Sequence, residues 1–437
     1  MRIHLSALGC RLNEAELEQW ATAFTGAGDQ IANDPSEADV MVLNTCAVTR
    51  EAVRKSRQKL QRLQRANPRA KLVVSGCYSE LEPDSALAEL GVDLIIPNTR
   101  KDELVPLTRR AFTEVAMPQA ATLPANAALF TRNRHRAFIK IQDGCRYRCT
   151  FCIVTVARGA ERSRTIDDIV EEVRQLQQED VREVVLTGVH VGGYGSDLDT
   201  DLEHLVQALL DDTDIPRIRF ASVEPWDLSP GFLTLFDNAR VQPHMHLPLQ
   251  SGSDTVLRRM ARRCKTADFN ALTSELRKAV PNFNITTDII AGFPGETEQE
   301  WQDSLDFIAT QGFGHIHAFT YSERDGTRAA GLPDSVPMEI RQHRSRQLHE
   351  LGERLKSEQL QRSVGTVAEV LWERGRESVD EHGQTLWTHQ GYTPNYQRVR
   401  VSSAENLANC ILPVQLTGVE NGKLIGTLQE SPAIAVG

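Results

Sequence analysis

The chain has 437 residues, 40% hydrophobic and 25% charged, with a formal net charge of -10. That is ordinary globular make-up, long enough for two or three domains, and it argues against a uniformly basic nucleic-acid binder. No apolar run approaches the roughly 20 residues that cross a bilayer, and Met1-Arg2-Ile3-His4-Leu5 leads straight into a strand-like segment, so a cytoplasmic protein is expected. Eight cysteines in such a chain read as metal or redox ligands rather than as a disulfide framework.

Residues 1–111 alternate apolar runs with helical patterns, as βαβ units do. Ile3 to Leu8 leads through Gly9 to Cys10, Val40 to Leu43 leads through Asn44 and Thr45 to Cys46, and Leu72 to Val74 leads through Ser75 and Gly76 to Cys77. A lone cysteine after a strand is usually a small buried residue. Three at equivalent places on three strands of a parallel sheet would share one edge, where open α/β sheets build their sites, and so read as a three-thiolate cluster site. Between 50 and 71, nine basic residues face only Glu51, and between 132 and 164 nine more face only Asp143 and Glu161. Each is either a solvated surface or a grip for a polyanion; the second flanks a chemically loaded loop, which favours the polyanion.

Residues 112–130 weaken into Ala, Pro, Thr and Asn, a linker by composition. Over 131–361 candidate strands are Ala137 to Ile141, Glu183 to Thr187, Arg217 to Ser222, His244 to Leu247, Asn284 to Ile290 and His315 to Thr320, alternating with helical segments such as Ile166 to Gln178 behind an N-cap at Thr165. Six such units predict an open partial TIM-type barrel with its chemistry in the loops after the strands. The first of these loops holds Cys145, Cys149 and Cys152 in a Cys-x3-Cys-x2-Cys spacing. A structural zinc site needs four N or S ligands, and no histidine follows within ten residues. A four-iron cluster with three protein ligands leaves one iron open to a small molecule, as S-adenosylmethionine radical chemistry requires.

Phe151 is placed to border the adenine of that cofactor, or else caps the local core. Gly188 and Gly292 sit in loops that are either merely flexible or allow backbone to approach the cofactor closely. Glu224, Gln250, Ser251 and Asp288 at strand ends are candidates to hold its ribose and amino acid group, while His244 and His246 read as interior polar residues rather than metal ligands. Cys264 and Cys410 have no spaced partner.

Residues 362–430 change to short apolar runs with Gly or Asn turns: Val367 to Trp372, Thr385 to His389, Arg398 to Val401, Ile411 to Thr417 and Leu424 to Leu428. This predicts a small β-barrel. Tyr392 and Tyr396 with Arg398 and Arg400 offer an RNA-binding surface, the alternative for the tyrosines being ordinary packing.

Together these residues resemble the methylthiotransferase family of radical S-adenosylmethionine enzymes. The resemblance rests on Leu8-Gly9-Cys10-Arg11-Leu12-Asn13, Asn44-Thr45-Cys46, Ser75-Gly76-Cys77, the Cys145 loop, Arg158-Gly159 with Glu161-Arg162-Ser163-Arg164, His246-Leu247-Pro248-Leu249-Gln250-Ser251 and Gly292-Phe293-Pro294-Gly295-Glu296, all in family order. Thr187-Gly188-Val189-His190-Val191-Gly192-Gly193 resembles the branch that modifies N6-threonylcarbamoyladenosine beside the tRNA anticodon; the isopentenyladenosine branch usually has Gln-Asn where this chain has Val189-His190. Ile153-Val154-Thr155-Val156 departs from the usual Ile-Pro or Val-Pro, a departure that bears on local loop shape and not on the cysteines.

The resemblance implies an N-terminal α/β domain, a radical core and a C-terminal TRAM barrel that binds RNA, with two 4Fe–4S clusters and S-adenosylmethionine as cofactors. It further implies that Cys145, Cys149 and Cys152 serve cofactor cleavage and Cys10, Cys46 and Cys77 the sulfur, that Arg158, Arg162 and Arg164 face tRNA, and that an external electron donor and a sulfur source are needed. Alternatives are isopentenyladenosine or a ribosomal protein side chain as substrate, and a non-catalytic iron-sulfur or zinc RNA-binding protein.

Overall fold

Val40–Thr45 is buried along its whole length, as a strand covered on both faces must be. In the computed structural model, which describes residues 1–112, 135–229, 231–379 and 385–429, it is the central strand of a parallel sheet. The sheet comprises β1 (Arg2–Ala7), β2 (Gln30–Ile31), β3 (Val40–Thr45), β4 (Lys71–Gly76) and β5 (Leu94–Ile95), in the order β2-β1-β3-β4-β5.

Alternate residues of β3 enter two cores. Val40 and Val42 meet Trp20 and Phe24 of α1 (Arg11–Gly26), whereas Met41 and Leu43 meet Leu60 and Leu63 of α2 (Arg50–Ala66). The hydroxyl of Thr49 accepts from the Ala52 N–H at 3.1 Å to start α2. Only Ser56, Leu60 and Leu63 of that helix are buried, so Arg50, Arg54, Lys55, Arg57, Arg62 and Arg65 form an exposed basic face.

The same compact unit includes Asp143–Arg162 and Ser322–Ala330. The cysteine loop expected within 131–361 thus packs with the first hundred residues. Ala157 is buried in the core of Met41 and Leu43, and the Asn98 side chain donates to the Ala157 carbonyl at 2.5 Å. Of the expected linker, residues 113–130 lie outside the described residues.

The second unit contains the strands Arg136–Lys140, Glu183–Thr187, Arg217–Phe220, His244–His246, Asn284–Ala291 and His315–Thr320. They form two three-stranded parallel sheets, linked by the bridges Ile218 to Val241 and Ser222 to His246. Their boundaries match the six expected strands to within two residues. Val184, Leu186, Ile218, Phe220, Ile285 and Ile289 pack toward the helices; the alternate positions carry Glu183, Arg217, Arg219, His244, His246 and Asp288, which therefore face away from that core. Thr165 caps the helix Ile166–Gln178 as expected, accepting from the Asp168 N–H at 3.2 Å.

A helix, Met338–Ser363, precedes a six-stranded mixed sheet of Val367–Trp372, Arg376–Val379, Thr385–Tyr392, Arg398–Ser403, Ile411–Glu420 and Lys423–Leu428. Its first strand pairs with both Ile411–Glu420 and the end of Thr385–Tyr392. Arg376–Val379 escaped sequence reading because Arg-Glu-Ser-Val has no apolar alternation. Among the described residues no helix is long and apolar enough to cross a membrane.

Tyr392 and Tyr396 lie at the amino ends of the six parallel strands. Glu183, fully buried, accepts from Arg136 Nε at 2.5 Å and from Arg219 Nε at 3.0 Å, with Arg217 Nη1 3.9 Å away. Burial alone would raise the Glu183 carboxyl, but Arg136 and Arg219 hold it well below the usual carboxylate range. Arg217 donates to the Tyr392 carbonyl and Arg219 to that of Pro394. The two tyrosine rings stack at 4.7 Å, with the Arg136 and Arg219 guanidiniums over them. Both rings are half-buried, and these contacts are the packing that was the alternative to an RNA surface. Arg398 is exposed and donates to the Tyr392 hydroxyl, and Arg400 pairs with Glu420.

Candidate functional site

Ala7, Asn44 and Ser75 lie abreast in the register of β1, β3 and β4. Cys10 follows Ala7, the last residue of its strand, by three, and Cys46 and Cys77 directly follow Thr45 and Gly76, the last of theirs, so all three leave the same edge of the sheet. Cys10 is the N-cap of α1 and Cys77 opens the short helix Cys77–Leu81. Burial pushes the Cys46 thiol up to about 11, with Cys10 and Cys77 adding to the rise. A buried thiol of this kind loses its proton readily only to a cation that replaces it, which suits a metal centre.

The approach is tight. Gly9 has φ +99°, and a Cβ there would lie 2.6 Å from Cys46 Sγ. Gly9→Ala is expected to displace Cys46 and lower the iron bound per chain after anaerobic reconstitution. Gly28→Ala, at φ +87° with open space around it, isolates the backbone strain of ~1–3 kcal/mol and should leave iron content unchanged.

Cys145, Cys149 and Cys152 are half-buried in a loop that folds onto itself. The Asp143 carboxylate accepts from the Gly144 N–H at 2.8 Å, the Cys145 N–H donates to the Gly159 carbonyl at 3.1 Å, and the Cys152 N–H donates to the Cys149 carbonyl at 3.0 Å. Gly144 is obligatory here, since at φ +71° a Cβ would sit 1.9 Å from the Ala160 carbonyl oxygen. The divergent Ile153-Val154-Thr155-Val156 stretch buries Ile153 and enters a short helix, Val154–Arg158, and the Thr155 hydroxyl donates to the Tyr147 carbonyl at 2.8 Å. Phe151 is half-buried beside these cysteines.

Under both cysteine sets lies a buried polar network that sequence reading missed. Lys101 Nζ donates to Glu16 Oε2 at 2.6 Å and Asn44 Oδ1 at 3.2 Å; Arg158 donates to Glu16, Asp143 and Asn13. Arg158 is only 2% exposed, so its assignment to tRNA is corrected: a side chain with three internal partners and no surface does not meet phosphate. Arg164 is half-buried and donates to the Lys140 carbonyl and Glu172, whereas Arg162 keeps a solvent-facing side chain. The available signal was helical: Asn13 and Glu16 share the buried face of α1 with Leu12 and Trp20.

In the second unit the expected cofactor-binding residues gather near the carboxyl ends of the strands. Gln142 Oε1 accepts from the Val189 and His190 N–H groups, and a Cβ on Gly188 would come within 3.0 Å of the same oxygen. His190, singled out in the sequence only as part of the Val189-His190 pair, contacts Asp227 at 2.7 Å and lies 3.7 Å from Glu224. Burial raises the Glu224 carboxyl, and its Oε2 is buried without a hydrogen-bond partner among the described residues. Such an orphaned acceptor fits a ligand hydroxyl or ammonium.

Gln250 adopts φ +76° and exchanges backbone hydrogen bonds with Asp288 and Ile290, while Ser251 Oγ accepts from the Ser253 N–H. His246 Nε2 lies 3.1 Å from Asp288, its Nδ1 is 2.8 Å from the Thr286 hydroxyl, and its ring meets His317 edge-on. Gly292 at φ +78° donates to Glu296 and abuts Arg341, so its lack of a Cβ serves internal packing.

A family model described as the radical SAM superfamily matches residues 139–308, and one described as uncharacterized protein family UPF0004 matches residues 2–97. The threonylcarbamoyladenosine tRNA methylthiotransferase MtaB of Bacillus subtilis is 34% identical over 94% of this chain and 92% of its own. The tRNA-2-methylthio-N(6)-dimethylallyladenosine synthase of Bacillus cereus is 32% identical over 99% of this chain and 86% of its own. Among solved structures, the radical S-adenosylmethionine methyltransferase TsrM from Kitasatospora setae superposes with a TM-score of 0.56 at 14% identity, covering 75% of this chain and 77% of that one, which shows a shared fold. With Cys145 to Cys152 inside one matched family and Cys10, Cys46 and Cys77 inside the other, the chain belongs to the radical S-adenosylmethionine methylthiotransferases, enzymes whose cofactors are S-adenosylmethionine and 4Fe–4S clusters.

Proposed function

We propose that this enzyme is a tRNA methylthiotransferase that converts N6-threonylcarbamoyladenosine beside the anticodon to its 2-methylthio derivative, using two 4Fe–4S clusters. The observation that carries the two-cluster reading is the register that sets Cys10, Cys46 and Cys77 at one sheet edge, a second ligand set besides Cys145, Cys149 and Cys152. When bound, the clusters and S-adenosylmethionine supply radical chemistry and sulfur, which C2 of an adenine demands because no side-chain base removes its hydrogen. The three thiolates of each set would hold one cluster.

Within the second unit, Glu224, Gln250, Ser251 and Asp288 orient the cofactor's polar groups. Residues 362–430 act as a TRAM-type RNA-binding barrel, a reading supported by the doubly paired first strand of the mixed sheet. Arg162 and Arg398, both exposed, are left as candidates to meet tRNA phosphates, together with the basic face of α2. An external electron donor and a sulfur source complete the partners.

The nucleoside is argued from two relatives named for threonylcarbamoyladenosine, from Bacillus subtilis and Thermotoga maritima, and from Val189-His190, where His190 is fixed by Asp227. A relative named for dimethylallyladenosine, matching 99% of this chain, keeps that substrate as the second reading. Anaerobically reconstituted enzyme should methylthiolate an anticodon stem-loop bearing threonylcarbamoyladenosine at least tenfold faster than stem-loops bearing adenosine or isopentenyladenosine, followed by nucleoside mass spectrometry. Preference for the isopentenyl stem-loop would transfer the assignment to the second reading.

A further inference from the structure

Arg158 Nη1 donates to Glu16 Oε1 at 3.0 Å and to Asp143 Oδ1 at 3.0 Å, and its Nη2 donates to Asn13 Oδ1 at 2.8 Å. These partners come from both cysteine segments. Asp143 stands two residues before Cys145, and Asn13 three after Cys10. The Asn13 amide also donates to the Leu8 carbonyl at 2.6 Å and the Thr45 carbonyl at 3.1 Å, the backbone leading into Cys10 and Cys46. One guanidinium therefore connects the start of the radical loop to two of the three strand ends that carry the other ligand set. Only Arg offers a planar fork of donors that serves three acceptors at once.

The charge matters as well as the reach. Lys101 and Arg158 against Glu16 and Asp143 make two cations and two carboxylates, all nearly excluded from water. Thiolates at Cys10, Cys46 and Cys77 add negative charge to a region already carrying both carboxylates, and removing the Arg158 charge would leave that excess poorly balanced. Although burial opposes its charge, Arg158 is held well above the usual arginine range by Glu16, Asp143, Cys77 and Cys10.

We infer that Arg158 is a positioning residue that ties the Cys145 loop to the strand ends bearing Cys10 and Cys46, and that supplies the positive charge felt at the N-terminal ligand set. This rests on the proposed reading of Cys10, Cys46 and Cys77 as cluster ligands.

The test uses full-length, anaerobically reconstituted enzyme and its Arg158→Gln and Arg158→Lys variants, titrated electrochemically with EPR detection. Added S-adenosylmethionine perturbs the cluster that binds it, so the insensitive signal reports the N-terminal set. In Arg158→Gln that signal should be harder to reduce by on the order of tenfold in the equilibrium, a potential about 59 mV more negative for one electron. Arg158→Lys restores the charge and should return the potential to the wild-type value, although its fork is lost. An unchanged potential in Arg158→Gln, or a Lys variant that shifts as Gln does, overturns the charge role.

Hydrogen exchange of the apo protein judges the tie separately. Exchange over Asp143–Arg162 and over residues 10–16 should quicken together in both variants, and unchanged exchange overturns the tie. Iron analysis showing a single cluster in the wild type would instead count against the proposed function and remove the charge role with it, while exchange still decides the tie. Should Arg158→Gln fail to fold, Arg158→Lys decides both points by itself: a shifted potential overturns the charge role, and unchanged exchange overturns the tie.

Discussion

Cys149→Ala is expected to abolish 5′-deoxyadenosine formation, whereas Cys46→Ala retains it and yields no methylthiolated nucleoside. On the proposed reading the two cysteines serve different clusters: one lies in a loop closed by Gly144 and the Cys145 N–H, the other at the end of β3 against Gly9. Losing one thiolate of three leaves a four-iron cluster with too few anchors, so each substitution removes one site and spares the other. Cys→Ala deletes a single sulfur in a packed place and is mild for the fold. Deoxyadenosine and modified nucleoside are quantified in the same reaction by mass spectrometry. Loss of deoxyadenosine in both variants, or normal product in either, contradicts the division of labour.

The second large effect is on stability, at the opposite ends of the strands. Glu183→Gln should destabilise the enzyme by about 3–5 kcal/mol, the cost of breaking a buried ion network by removing one partner. Arg136, Arg217 and Arg219 converge on this one carboxylate, and burial already pulls the Arg217 guanidinium down to about 10. Without Glu183 the guanidiniums face one another, and what they keep are the Tyr392, Glu369 and Pro394 carbonyls and the Glu373 carboxylate 4.0 Å from Arg136. Denaturant unfolding of the apo protein should show a lower midpoint with the slope unchanged. A midpoint within error of wild type would show that water or rearrangement relieves the arginines.

Much of the architecture was legible in the chain. Alternating apolar residues marked the strands, since a side chain's face in a sheet repeats every two residues, and Thr165 followed by Asp168 marked a helix start that the backbone adopts. The Cys-x3-Cys-x2-Cys spacing was legible because those cysteines are local to one loop. The strand ends at Cys10, Cys46 and Cys77 needed only the further rule that parallel strands share an edge. Arg376–Val379 was not legible, because its pairing with Thr385–Tyr392 supplies what its own composition lacks.

The basic stretches divided in a way that composition could not show. Arg50, Arg54 and Arg57 are exposed on α2, yet Arg158, in an equally basic run, is buried. Tyr392 and Tyr396, which have the composition of an RNA surface, stack on each other beneath arginines.

What the chain alone determined, then, was its periodicities, the Cys145 loop and the motifs that carry the family resemblance, because these depend on neighbours a few residues apart. Tertiary structure decided that the Cys145 loop packs with the first hundred residues, that Arg158 reaches Glu16 across 142 positions of sequence, and that Arg217 and Arg219 turn toward the chain beyond residue 390. Charge partners at such separations follow from where the backbone crosses, and desolvation makes each pairing all-or-none. No local pattern encodes that.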